Sequence, residues 1–192
     1  MRISGSRRAL LASVFPSSAV LAGCFENRFT GSDEAPDSGA VSTDDYDCDD
    51  VDRPEPSEQL LEEALEPAAY PEPPTPLSED VGTFVHEFET AYRRNEFIEE
   101  YGAQTRSFEF RLEDRHAETI DSTSERDAVL ASIVYTLSTA TRHDEFPPER
   151  DTRVTYYVDE NVVLRARYGG IANEPEFDPD PRDSGDPVAC FE

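Results

Sequence analysis

Phe97-Ile98-Glu99-Glu100-Tyr101-Gly102-Ala103-Gln104-Thr105-Arg106-Ser107-Phe108-Glu109-Phe110-Arg111-Leu112 is where the hydrophobic period of the chain changes. Before Gly102 the apolar residues recur at helical spacing. Val81, Phe84, Val85, Phe88, Ala91 and Tyr92 follow i, i+3, i+4, i+7, and Phe97, Ile98 and Tyr101 continue the face. The spacing predicts one helix over 79–101, with a break near Asn95. Ser78 is the expected N-cap, Glu79 and Asp80 lie at the positive end of the dipole, and Gly102 is the stop. After Thr105 the period is 2: Phe108, Phe110 and Leu112 share one face, and Ser107, Glu109 and Arg111 the other.

Three more strands are expected downstream. Residues 128–140 lack Gly and Pro and are rich in β-branched side chains, with Val129, Ala131, Ile133, Tyr135 and Leu137 inward. Val154, Tyr156 and Val158 alternate with Arg153, Thr155 and Tyr157. Asp159-Glu160-Asn161 reads as a tight turn. Val162, Leu164, Ala166 and Tyr168 then point inward, with Arg165 and Arg167 outward. The polar stretch 114–126 reads as a loop or a frayed strand end, and 143–150, with Pro147-Pro148, as a loop. One helix followed by four strands implies an α+β domain over 78–170: a long helix packed on a four-stranded antiparallel sheet. That order resembles cystatin-like and nuclear-transport-factor-2-like folds, in topology alone.

The flanks differ in composition. Residues 24–56 are Gly, Ser, Asp, Glu and Pro, densest in acid at Asp44-Asp45-Tyr46-Asp47-Cys48-Asp49-Asp50, and read as a disordered, extended tether. In 57–77 a short helix is expected from Ser57 to Pro67, carrying Leu60, Leu61, Ala64 and Leu65. A Pro-rich spacer at Tyr70–Pro76 follows it, laid against the domain. Residues 171–192 read as an unstructured acidic tail.

Residues 1–23 read as a signal peptide. Leu21-Ala22-Gly23-Cys24 resembles the lipobox of prokaryotic lipoproteins, in which the cysteine thiol is lipidated. Ser6-Arg7-Arg8-Ala9-Leu10-Leu11 resembles a twin-arginine (Tat) export signal through Arg7 and Arg8. The apolar stretch between them is too short to span a bilayer, which takes about 20 residues, and suits a removed leader. The resemblance implies a mature protein beginning at Cys24 and held by lipid on the outer face of the cytoplasmic membrane. Two acyl chains give a stable anchor.

The formal charge is −26, from 43 acidic and 17 basic residues, and every basic residue is Arg. Such self-repulsion opposes compaction in ordinary buffer; at molar salt the Debye length is about 3 Å and the repulsion is screened. Acid excess without Lys resembles the proteins of salt-loving archaea, which also favour twin-arginine export. The hairpin from Tyr156 to Ala166, with the helix before it, resembles haloarchaeal lipoproteins without an assigned activity. The charge excludes nucleic acid as a partner, because that needs a basic patch.

With Cys24 lipidated, Cys48 and Cys190 remain as an even pair in an oxidising compartment. They either form a disulfide, worth about 4–5 kcal/mol on the chain-entropy account, or stay as two thiols.

Catalytic patterns are missing from the sequence: it contains no GxSxG, HExxH, P-loop or GxGxxG. His86, His116 and His143 are far apart. Asp178, Asp180, Asp183 and Asp186, near Gly185, offer several hard oxygens but lack EF-hand spacing and its final Glu. They are at most cation candidates, and neither a metal nor any cofactor is expected. Arg111, Arg153, Arg165 and Arg167, on outer strand positions, either form a positive patch for an anionic partner or pair with Glu109 and its like. The expectation is a lipid-anchored, non-catalytic interaction or structural protein at the surface of a halophile. Its alternative is a small-ligand-binding module with a pocket between helix and sheet, and neither reading names the protein or ligand partner.

Overall fold

The computed structural model describes residues 39–57, 63–77, 79–120 and 127–191. One helix, α1 (Val81–Tyr101), precedes four long or medium strands: β1 (Thr105–Ile120), β2 (Ala128–Thr141), β3 (Glu149–Asp159) and β4 (Val162–Arg167). A four-residue helical turn, α2 (Pro181–Ser184), leads into β5 (Asp186–Cys190). The sheet is wholly antiparallel in the order β1-β2-β3-β4-β5. The α+β class stands; the sheet has five strands where the sequence pattern predicts four. β5 escapes the pattern because it is short and Pro187 interrupts its alternation, as an edge strand tolerates.

α1 is unbroken. Asn95 does not interrupt it: its side-chain amide accepts from the Ala68 N–H at 2.8 Å and donates to the Ala68 carbonyl at 2.9 Å. That pairing holds the Pro-rich segment along the helix, where Tyr70 stacks 4.9 Å from Phe88 and donates to the Pro54 carbonyl. Gly102 ends the helix at φ +51°, a conformation that favours glycine, with its N–H on the Ile98 carbonyl. The N-cap is Asp80 in the left-handed region; Ser78 lies outside the described residues. Most of the short helix expected after Ser57 also falls outside them, and residues 63–66 that are described are turn and coil.

β1 runs eight residues past Leu112, with a register shift between Leu112 and Asp114. Asp114–Ile120 pairs with Val134–Ala128 although Glu113–Thr119 is exposed on both faces. Without a buried face there is no alternation to read, and the charges suit an unpaired edge.

The face assignment of β4 is reversed from the sequence reading. A three-residue turn at 159–161 would pair Val158 with Val162. The turn has two residues instead: Val158 pairs with Val163 and Tyr156 with Arg165. Asp159 sets it, its Oδ1 accepting from the N–H groups of Asn161 and Val162 at 2.8 Å each. A slip of one residue moves every side chain to the other face. Val163 and Arg165 therefore face α1; Val162, Leu164 and Ala166 face away.

Both sheet faces are covered over β2, β3 and β4. Under α1 lie Val129, Ala131, Ile133, Tyr135, Val154, Tyr156, Val158 and Val163. On the far face a row crosses three strands, Leu130–Tyr157–Leu164, and is packed by Val41 and Tyr46 from the N-terminal arm and Phe177 from the C-terminal segment. The segments expected to be a tether and an unstructured tail are thus a second layer. Val41 N–H donates to Tyr157 Oη at 3.0 Å, Asp52 N–H to the Pro187 carbonyl at 2.9 Å, and Thr155 Oγ1 to the Pro179 carbonyl at 2.6 Å. The described part of the compact unit runs from 39 to 191, beyond the expected 78–170.

Candidate functional site

Glu89 is the most unusual residue of the helix–sheet layer: a carboxylate with no exposed surface. Helical spacing puts it on the buried face of α1 between Phe88 and Tyr92. Opposite it, the cross-strand pair Tyr156 and Arg165 presents a hydroxyl and a guanidinium on one sheet face, and Tyr135 adds a second hydroxyl from β2. Arg165 donates Nε to Oε2 and Nη2 to Oε1, both at 2.8 Å, a bidentate fork. Tyr135 Oη donates to Oε1 at 2.8 Å and Tyr156 Oη to Oε2. Tyr92, one turn on, stacks under the Arg165 guanidinium at 4.2 Å. Four donors thus converge on two oxygens.

The electrostatics follow from this geometry. Burial pushes the Glu89 carboxyl up, but the Arg165 charge and hydrogen bond, then Tyr156 and Arg93, outweigh it and hold it below its ordinary value. Burial, with the Glu89 charge behind it, drives the Tyr135 and Tyr156 hydroxyls well above theirs. A carboxyl depressed on folding contributes stability that is present above the unfolded pKa of about 4.3 and lost as pH falls through the folded value. In Glu89→Gln the acid limb of a stability–pH curve should therefore flatten between those two values relative to the parent; equal slopes would mean that the Glu89 carboxyl titrates alike in the folded and unfolded chain.

One turn beyond Glu89, Arg93 extends the network. Its Nη2 donates to Glu149 Oε1 at 2.8 Å, and Arg167 Nη2 takes Glu149 Oε2 at 2.8 Å. Arg93 Nε lies 3.1 Å from Glu96 Oε2, at an angle that makes an ion pair but no hydrogen bond. Past Arg93 the layer opens into a cleft of about 270 Å³ among Phe97, Tyr101, Leu137, Phe146 and Glu149. A second cleft of about 550 Å³ on the far face is polar and bounded by Asp45, Asp52, Asp183, Asp186 and Arg182.

Several predicted site residues are brought together and others dispersed. Cys48 and Cys190 are joined, with Cα atoms 5.9 Å apart, tying the arm to β5. Cys24, Arg7 and Arg8 lie outside the described residues. The four aspartates do not converge: Asp178 lies 3.6 Å from Arg153, Asp180 caps α2 and pairs with Arg182 at 2.6 Å, and Asp183 and Asp186 are exposed. Among the described residues no group of three or more His, Cys, Asp or Glu is placed to hold a metal ion. The arginines expected to share a patch are split. Arg165 and Arg167 bind Glu89 and Glu149; Arg153 is buried on the far face, against Tyr168 at 4.3 Å and Glu176 at 2.8 Å; Arg111 pairs with Glu113 at 2.9 Å. Glu89 carries no sequence signal beyond one acid inside an apolar helical stripe, and with Arg165 assigned outward its partner was hidden.

No family model, curated protein or solved structure matches the chain. No helix among the described residues is long and apolar enough to cross a membrane.

Proposed function

We propose that this chain is a lipid-anchored protein of the Tat-exported haloarchaeal lipoprotein kind, held through Cys24 outside the cytoplasmic membrane, with a non-catalytic interaction domain. The observation that carries the non-catalytic reading is the state of Glu89. Its two oxygens accept four donors and it has no exposed surface, so no lone pair is left for a substrate. The space between Phe84–Tyr92 and the sheet is filled by Phe88, Tyr135 and Tyr156, which supports a structural rather than a ligand-holding layer there. The covered far face and the Cys48–Cys190 tie fit an exposed, oxidising environment.

The ligand-binding alternative draws on one feature: the cleft beyond Arg93, lined by aromatic rings and one buried cation. Its volume falls below the ~300–1,000 Å³ of small-molecule pockets, and this favours the interaction reading.

Anchoring is tested in a haloarchaeal host by fractionating Cys24→Ser beside the parent chain. The parent should enter the membrane fraction and the detergent phase. The variant should appear in the soluble or medium fraction, and its retention in the membrane would overturn the anchor.

A further inference from the structure

The cleft at the C-terminal half of α1 has the size, walls and charge of a receptor for one long basic side chain. We propose that it docks a partner protein through a single arginine or lysine, a proposal that deepens the interaction reading above. Its volume of about 270 Å³ admits one long side chain. Three rings form the apolar wall: Phe97 to Tyr101 at 5.1 Å, Tyr101 to Phe146 at 5.0 Å, and Phe97 to Phe146 edge-on at 6.2 Å. Leu137 and Pro147 complete it. Three of the four charged lining residues are carboxylates: Glu96, Glu100 and Glu149 against Arg93.

The Arg93 charge is already engaged. Its Nη2 is bound to Glu149, whose other oxygen is taken by Arg167, and its Nε faces Glu96. Glu96, nearly half exposed beside Arg93, and the exposed Glu100, hydrogen-bonded with Tyr101, stand at the rim. An anion entering here would meet these acids, and a neutral apolar chain would desolvate the rim carboxylates without adding a counter-charge. A cation on an aliphatic stem satisfies both parts of the cleft: the stem lies on the rings, the head reaches the carboxylates, and a ring face adds cation–π attraction. The fold uses the same contact internally, with Arg53 on Tyr70 at 4.6 Å, Arg153 on Tyr168 and Arg165 on Tyr92.

The test titrates acetyl-Gly-Arg-Gly-amide and acetyl-Gly-Lys-Gly-amide into the full chain and follows ring-proton NMR shifts. The matching citrulline peptide serves as the neutral isostere. Saturable shifts confined to residues 93–101 and 137–149 are expected with the basic peptides, and binding about fivefold or more weaker with citrulline. Glu96→Gln with Glu100→Gln should weaken binding severalfold, and Phe146→Ala, on an exposed loop, should do so while leaving circular dichroism unchanged. The proposal is overturned by absence of saturable shifts, by citrulline binding equally, by shifts centred elsewhere, or by Arg binding indifferent to Glu96 and Glu100. None of these results bears on the anchor, and fractionation of Cys24→Ser is blind to the cleft.

Discussion

Arg165→Met should destabilise the domain by about 3–5 kcal/mol, because it leaves the Glu89 carboxylate buried without its counter-charge. Few single changes in this fold should cost more. Glu89 has no exposed surface, and two of its four donors come from Arg165. Glu89→Leu alone should cost a similar amount, by stranding Arg165, whose side chain is about nine-tenths buried. The double variant Glu89→Leu/Arg165→Met should recover most of the loss, since an apolar pair of similar volume replaces two desolvated charges; what remains is the pair of tyrosine hydroxyls left without an acceptor. Urea unfolding at molar salt, followed by tyrosine near-ultraviolet circular dichroism, measures all three; the chain has eight Tyr and no Trp. Single variants each costing under about 1 kcal/mol would show that water reaches this pair in solution.

The same pair marks the boundary of what the sequence makes legible. The helix is legible because burial on one side of α1 imposes a 3.6 spacing on eight or nine residues, and Gly102 stands where that spacing ends. β2 and β3 are legible because their helix-facing residues alternate over long runs. β4 is legible as a strand but not as to face. Its two sides are both buried, so apolarity does not distinguish them, and one residue of turn length decides where Arg165 points.

The far layer is harder still. Val41, Tyr46 and Phe177 are single apolar residues in acidic, Pro-rich surroundings, and each packs on the far sheet face, Val41 through a contact 116 positions away along the chain. Local composition describes such segments and still misses that a tyrosine hydroxyl holds the arm, whereas the even pair Cys48 and Cys190 does offer the disulfide. The candidate cleft has the same origin: Phe97 and Tyr101 belong to the helical stripe, but Phe146 reaches them from a loop that carries no periodic signal.

Replacing both Cys48 and Cys190 by Ser should cost about 2–5 kcal/mol and should open the far face first. The two cysteines are 142 positions apart, so the link closes almost the whole folded unit into one loop and restricts the unfolded chain strongly. Besides the disulfide, the arm is held by single contacts, among them the Val41 N–H on Tyr157 Oη, the Asp52 N–H on the Pro187 carbonyl, the Glu55 N–H on Glu99 Oε1, Arg182 on the Gly39 carbonyl and the Tyr70 hydroxyl on the Pro54 carbonyl. Beneath the arm lie Leu130, Tyr157 and Leu164, which water would reach if it lifted. Val41 N–H and Asp159 share the Tyr157 hydroxyl, so release of the arm leaves that hydroxyl still bonded to Asp159 and the turn intact. Loss should therefore occur in two stages. Limited proteolysis of the double-Ser variant should cut within residues 39–57 under conditions in which α1 and β2 stay protected, and amide exchange should rise in β4 and β5 before β2. Reductant added to the parent chain should reproduce both effects. A parent whose unfolding midpoint and cleavage pattern ignore reductant would show that packing alone holds the arm.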